Sequence, residues 1–162
     1  MRARRYVWPV ALAAAAVALA AAAQDRSPQH DTAWHNRQAL ALASRQARDG
    51  WSYLPGGVLW RRVAGPGTGA RPTVNDTVTV NYAGTFIDGE TFDSSFDRKE
   101  PATFPLRGLI PAWQEAIPQM GIGDTIELAA PAALAYGPEG RGPIPGGATL
   151  LFKIELLAIP AH

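Results

Sequence analysis

The sequence contains no cysteine, only two lysines, and three histidines that all lie outside residues 51–160. Without cysteine the chain has no disulfide, no thiolate nucleophile, no thiolate-bound metal and no N-terminal cysteine for lipid attachment. The positions of His30, His35 and His162 leave residues 51–160 without the parts of a Ser-His triad or a histidine-ligated metal site. Nucleic acid binding is also disfavoured, because it needs clustered cations to neutralise phosphates and the chain has no basic stripe.

The formal charge of +1 on the 162-residue chain hides an uneven distribution of charge. Three arginines lie in the first five positions, no acid precedes Asp25, and residues 1–23 hold 19 apolar residues, 11 of them alanine. Without that segment, 12 Lys and Arg face 14 Asp and Glu, a net charge of −2. A basic start, an apolar run and closing small residues are typical of an export signal.

We expect residues 1–23 to be a signal peptide cleaved near Ala23, which makes the mature protein periplasmic or secreted. A retained membrane anchor is the alternative, although spanning takes ~20 apolar residues and this alanine-rich run barely reaches that length.

The rest of the sequence divides into a polar leader with a short helix, residues 24–50, and one domain, residues 51–160. A body of about 140 residues suits a single domain with a hydrophobic core. Asp31 or Thr32 is a good helix N-cap, and Gly50 supplies a stop after a helix that runs to about Asp49. The apolar positions of this helix follow the 3.6-residue period only loosely: Trp34, Leu40, Ala41 and Ala47. Dimerisation through this helix and packing on its own domain therefore both stay open.

From Trp51 onward the pattern favours strands. Residues 77–82 alternate strictly between apolar and polar side chains, and Asp88-Gly89 is a strong hairpin signal. Further strands are predicted at residues 58–63, 125–130 and 149–158. Several strands and one short helix predict an α+β fold, an antiparallel sheet wrapped on a helix.

That one helix begins at Pro111, a favourable first position. Trp113, Ala116, Ile117 and Met120 share one face at helical spacing. Pro118 lacks a backbone donor, so we expect the helix to end or tighten near Ile117.

Two groups of side chains are candidates for function. Asp93, Asp97 and Glu100 are close in sequence, and paired carboxylates hydrolyse glycosides, but a solvated turn with local hydrogen bonds is the favoured interpretation. Six aromatic residues lie where they could meet, as core or as the walls of a site: Tyr82, Phe92, Phe104, Trp113, Tyr136 and Phe152.

Four runs resemble, in order and at family spacing, the FK506-binding protein (FKBP) family of peptidyl-prolyl cis–trans isomerases. They are residues 78–98, with Phe92-Asp93-Ser94-Ser95; residues 108–123; residues 134–137, Leu134-Ala135-Tyr136-Gly137; and residues 144–157. The resemblance covers roughly residues 51–159, and the approach to this domain looks like that of exported bacterial members.

The resemblance implies an FKBP-like antiparallel sheet of about five strands around a short α-helix, with a shallow apolar pocket between them. It implies isomerase activity on proline-containing unfolded or partly folded polypeptides, no cofactor or metal, and inhibition by macrolides of the tacrolimus type. The substrate-binding positions that it implies are Tyr82, Phe92, Asp93, Phe104, Leu109, Ile110, Trp113, Tyr136, Ile144 and Phe152. Trp113 forms the floor and Ile144 overhangs the pocket, while Asp93, Tyr136 and Tyr82 are the expected catalytic residues.

The chemistry of proline isomerisation is compatible with a site made of these residues, without a cofactor or metal. Rotation about an amide bond meets a barrier of ~18–20 kcal/mol, and no bond is made or cleaved. A dry aromatic pocket that binds the twisted amide better than either planar form therefore accelerates the reaction without a nucleophile.

The sequence departs from the family pattern at a few positions, which motivates a noncatalytic chaperone or binding module as the alternative function. Ala102 stands where well-known members carry Phe, Arg141 falls near a common loop His, and the loop at residues 138–147 is one residue shorter. Pro118 is a further departure.

Overall fold

The structure, a computed structural model, describes residues 31–160. The predicted signal peptide and most of the polar leader, residues 1–30, lie outside this range. Within it, no helix has both the length and the apolar character needed to cross a membrane.

The N-terminal helix α1, Thr32–Ala43, is shorter than expected. Its start is as predicted, with the Asp31 side chain accepting a 2.6 Å hydrogen bond from the Trp34 amide. Its end comes well before Asp49, and residues 47–49 form a separate 3₁₀ turn after an extended Gln46. The helix buries Trp34 and Gln38, whereas Leu40 is 64% exposed, so no apolar face is available to stabilise further turns.

Seven strands form one antiparallel sheet with the order β1-β2-β6-β7-β3-β4, and β5 also pairs with β3. Their bounds are β1 Ser52–Tyr53, β2 Leu59–Ala64, β3 Thr77–Thr85, β4 Thr91–Ser94, β5 Ala102–Pro105, β6 Thr125–Ala130 and β7 Leu150–Ala158. Because β5 pairs with the first half of β3 and β4 with the second, β4 and β5 share one edge of the sheet. If β4 and β5 are counted as one edge strand, the sheet is five strands wide, and the two-residue β1 adds a short strand at the opposite edge, beside β2.

The predicted alternation decides which face of β3 meets the core. Val78, Val80 and Tyr82 are buried, and the residues between them are partly exposed. The β3–β4 hairpin turns at the predicted place, where the Gly89 amide donates to the Phe86 carbonyl at 3.0 Å.

Two short helices accompany the sheet. Helix α2, Ser95–Arg98, separates β4 from β5. Helix α3, Pro111–Ala116, packs against the sheet and tightens into a 3₁₀ turn at Ile117–Gln119, as the proline at position 118 predicts. The four residues expected on its inner face are all buried: Trp113, Ala116, Ile117 and Met120.

A buried carboxylate joins the loop before β3 to the turn after α3. Asp124 is fully buried and accepts hydrogen bonds from the Gly67 amide at 2.7 Å, the Gly121 amide at 2.9 Å and Arg62 Nε at 3.0 Å. Burial alone would raise the pKa of Asp124, but the two backbone donors and the Arg62 side chain together hold it below its ordinary value. Asp124 is therefore ionised in the folded protein at neutral pH.

Candidate functional site

Aromatic rings from β3, α3 and β7 meet at right angles between the sheet and α3. The Trp113 ring lies 5.3 Å from the Tyr82 ring and 5.4 Å from the Phe152 ring, with interplanar angles of 79° and 87°. All three residues are buried. Edge-to-face contacts of this kind fix ring orientation as well as contributing apolar area.

Two further rings flank this group. Phe92 on β4 meets Phe152 edge-on at 5.9 Å, and Phe104 on β5 lies 6.1 Å from Tyr82. Phe92 can pack against β3 because position 84 is glycine: a Cβ there would lie 2.5 Å from the Phe92 ring. The register of β3 with its three neighbours thus brings the aromatic residues together.

The polar edge of the aromatic group is a three-residue network at the hairpin and α2. The Tyr82 hydroxyl donates to Asp93 Oδ2 at 2.5 Å, and Arg98 donates to Asp93 Oδ1 and, at 3.0 Å, to the Tyr82 hydroxyl. Burial, followed by the hydrogen bond to Asp93, raises the pKa of Tyr82 well above its ordinary range. The Tyr82 hydroxyl therefore stays a donor, and Asp93 is held in one orientation by two neighbours.

The short helix α2 holds this network in place. Ser94 caps α2 by accepting from the Asp97 amide at 3.1 Å, and the Ser95 hydroxyl accepts from the Tyr82 amide at 2.8 Å. The start of α2 is thereby tied to β3, which places Asp93 and Arg98 on either side of the Tyr82 hydroxyl.

Arg98 was not among the predicted site residues, although it contacts two of them. The available signal was its spacing, since a cation five residues after Asp93 returns to that carboxylate across a single helical turn. Asp97 and Glu100 are exposed at α2, whereas Asp93 is buried and bonds to Tyr82 and Arg98. The solvated-turn interpretation therefore fits Asp97 and Glu100 but not Asp93.

The loop between β6 and β7 carries two further predicted residues, Tyr136 and Ile144. Ile144 is buried, Tyr136 is partly buried, and burial raises the pKa of the Tyr136 hydroxyl, which therefore remains protonated. Ile144 closes a small turn through paired backbone hydrogen bonds with Arg141.

Nine of the ten predicted positions belong to or pack against one apolar cluster, and the tenth, Asp93, bonds to a member of it. Leu109 is buried in front of α3, and Ile110 is the N-cap residue of that helix. Across residues 31–160, no three His, Cys, Asp or Glu side chains are grouped so that they could hold a metal ion.

A cleft of about 720 Å³ borders this site and has α1 as one wall. Its other walls are the β3–β4 hairpin, including Phe92, and the β6–β7 loop, including Pro143 and Pro145. The cleft reaches the edge of the apolar cluster, because Trp34 and Ala148 belong to that cluster and also line the cleft.

Comparison with known proteins gives concordant results in sequence and in structure. The profile of FKBP-type peptidyl-prolyl cis-trans isomerases matches residues 69–157. The isomerase FkpA of Aeromonas hydrophila is 46% identical over 118 residues, which cover 73% of this chain and 44% of the relative. The outer membrane protein MIP of Legionella longbeachae is 44% identical over 119 residues, covering 73% and 51%.

Two solved structures extend the comparison to the fold. A peptidyl-prolyl cis-trans isomerase of Pseudomonas syringae pv. tomato superposes with a TM-score of 0.73 at 34% identity, covering 83% of this chain and 98% of that one. FkpA from Escherichia coli gives 0.71 at 39% identity, covering 78% and 61%. The chain spans about half the length of the curated relatives it matches. By its profile, its relatives and its fold, the chain belongs to the family of FKBP-type peptidyl-prolyl cis-trans isomerases.

Proposed function

We propose that this protein accelerates cis–trans rotation of Xaa-Pro bonds by binding the twisted amide in the aromatic group around Trp113. The observation that carries the proposal is the perpendicular arrangement of Tyr82, Trp113 and Phe152 beside a buried, oriented carboxylate, Asp93. The proline ring packs on Trp113 as the floor, with Phe92, Phe104, Leu109 and Ile110 around it and Ile144 overhanging.

Catalysis in such a site comes from differential binding. An amide twisted out of its plane has lost resonance, and the free energy of that loss makes up most of the barrier. Interactions that form with the twisted geometry and not with either planar form lower the barrier, whereas interactions common to all three only tighten binding. Rigid rings in fixed mutual orientation favour one substrate geometry and exclude water from the rotating bond.

The polar groups supply orientation. Asp93, held by Tyr82 and Arg98, faces the carbonyl that becomes polarised as the amide twists, and Tyr136 donates a hydrogen bond to a carbonyl of the bound chain. Tyr82 holds Asp93 and forms part of the pocket wall. The network needs no metal or organic cofactor, because the reaction forms and breaks no covalent bond.

The substrates that we propose are proline-containing, unfolded or partly folded polypeptides in an exported compartment. The basic, alanine-rich segment at residues 1–23 supports an export signal, and one relative is named as an outer membrane protein. Residues 24–50 then form a leader with α1, and residues 51–160 the isomerase domain. Macrolides of the tacrolimus type are proposed as inhibitors that occupy the same pocket.

Replacement of Asp93 by valine tests the role of the carboxylate. We expect turnover on an Xaa-Pro peptide to fall about tenfold, equivalent to ~1.4 kcal/mol of transition-state stabilisation, with the fold largely intact. Two-dimensional NMR exchange at saturating peptide measures the rate. Unchanged turnover in a folded Asp93→Val protein contradicts the role given to Asp93.

A noncatalytic chaperone is the second candidate, favoured by Ala102, which lowers one wall of the pocket. The two functions separate in an aggregation assay with an unfolded client. Suppression of aggregation that is unchanged in a folded Asp93→Val variant with lowered isomerase turnover supports the chaperone, and a parallel fall in the two activities supports the isomerase.

A further inference from the structure

Helix α1 contacts the same loop that carries Tyr136 and Ile144. The Thr149 amide donates to Gln38 Oε1 at 2.9 Å, and the Thr149 hydroxyl donates to the Gln38 carbonyl at 3.2 Å. Both residues are buried, with 7% and 3% of their surface exposed. These two hydrogen bonds join positions 111 residues apart in the sequence and attach α1 to the end of the loop, directly before β7.

A second contact lies one helical turn earlier. Trp34 is buried in the same cluster as Ile144 and Ala148. The loop backbone passes close to it: a Cβ at Gly147 would lie 3.3 Å from the Trp34 ring and 3.1 Å from the His35 ring. The helix face and the loop are therefore in direct contact over residues 147–149.

The contact leads directly to the site. The Gly147 amide donates to the Gly137 carbonyl at 2.9 Å, and Gly137 follows Tyr136. Residues 131–149 include five glycines and four prolines, and their backbone hydrogen bonds close short turns within the loop. These turns fix the internal shape of the loop, and α1 provides one of the surfaces that it packs against.

Helix α1 also lies outside residues 69–157, the part of the chain that the family profile matches. Gln38 lies on its buried face although an amide side chain is rarely buried without a specific partner.

We propose that Gln38 and Trp34 are positioning residues of the isomerase: through Thr149 and Gly147 they hold the β6–β7 loop in the conformation that binds substrate. This inference rests on the proposed function. In the intact chain the loop is docked and the pocket is complete. When the contact is weakened, the docked form becomes one of several, and the apparent dissociation constant for substrate becomes its intrinsic value divided by the fraction that remains docked.

The test uses the full chain with Gln38→Met, which keeps the side-chain length and removes the acceptor of the Thr149 amide. We expect KM for an Xaa-Pro peptide to rise about fivefold to tenfold with kcat within twofold of the unaltered chain, because bound substrate restores the docked loop. Amide exchange at Gly147 should quicken in parallel. Leu40→Ala, on the exposed face of the same helix, is the matched control and should change none of these values.

Two further variants separate positioning from a general loss of stability. Gln38→Glu keeps an acceptor oxygen and should bring KM back towards that of the unaltered chain. Thr149→Val removes the hydroxyl donor alone and should raise KM by a smaller factor, which tests the contact even where Gln38→Met unfolds. A lower free energy of unfolding with KM and Gly147 exchange unchanged in both Gln38→Met and Thr149→Val overturns the inference. Absence of activity in the unaltered, folded chain overturns instead the proposed function.

Discussion

Replacement of Arg98 by alanine should lower both the free energy of unfolding and the isomerase activity. Arg98 donates to Asp93 and, at 3.0 Å, to the Tyr82 hydroxyl, and its guanidinium lies 5.7 Å from the centre of the Tyr82 ring. The Asp93 side chain is only 4% exposed. Removal of Arg98 therefore leaves a buried carboxylate with the Tyr82 hydroxyl as its remaining side-chain partner in the network described above.

The size of the effect follows from the exposure of the arginine. Hydrogen bonds to charged groups contribute about 1.5–3 kcal/mol each when they are buried. The Arg98 side chain is 25% exposed, so water partly replaces it, and we expect a loss of about 1–2 kcal/mol. Without Arg98 the Asp93 side chain is also free to rotate away from the bound amide. We therefore expect turnover to fall about tenfold, equivalent to ~1.4 kcal/mol of transition-state stabilisation.

Urea unfolding and NMR exchange on a saturating Xaa-Pro peptide measure the two quantities. Arg98→Lys is the matched variant, because it keeps the charge but presents a single ammonium group in place of a planar fork. We expect Arg98→Lys to lie between the alanine variant and the unaltered chain in both assays.

A double-mutant cycle with Tyr82→Phe tests whether the network acts as a unit. Each single change removes the hydrogen bond between Arg98 and Tyr82, so the two effects should couple by about 1 kcal/mol. Strict additivity of the two changes, or an Arg98→Ala variant as stable and active as the unaltered chain, would refute the reasoning.

Three further predictions concern the floor, one wall and a distant support of the site. Trp113→Ala should lower the free energy of unfolding by about 3–5 kcal/mol and Trp113→Phe by less, both measured by urea unfolding, because the ring is 3% exposed. Ala102→Phe should tighten tacrolimus binding about tenfold by calorimetry, since a second aromatic wall adds apolar contact worth ~1.4 kcal/mol; weaker binding would contradict the assigned wall. Asp124→Asn should cost about 3 kcal/mol at pH 7. Because the folded-state pKa of Asp124 lies below its ordinary value, the difference from the unaltered chain should shrink as pH falls below about 4, and a constant difference down to pH 2 would contradict the assigned role.

Local sequence patterns predict the strands and the helix that carry the aromatic group. The alternation of residues 77–82 decides which side chains of β3 face α3, and prolines at positions 111 and 118 delimit α3 through steric rules that act within one turn. The ten predicted site positions follow from the family resemblance; nine of them belong to or pack against one apolar cluster, and Asp93 bonds to Tyr82.

The features that sequence reasoning missed depend on individual side-chain contacts, some local and some between distant residues. Residues 44–49 include good helix formers, yet α1 ends at Ala43, and Arg45 instead contacts the Ala41 carbonyl and lies over the Trp51 ring. Asp124 bonds to residues 57 and 62 positions away. No periodic pattern marks such pairs, because their spacing is set by the sheet and not by the helix or strand repeat.

The exchange rate of an Xaa-Pro peptide in the presence of the unaltered protein tests the central claim most directly. Uncatalysed exchange takes tens to hundreds of seconds at 25 °C. We predict that a micromolar amount of the protein shortens this time markedly, and that a saturating amount of tacrolimus abolishes the acceleration. A sample shown to be folded by its near-ultraviolet circular dichroism that leaves the exchange time unchanged would contradict the claim.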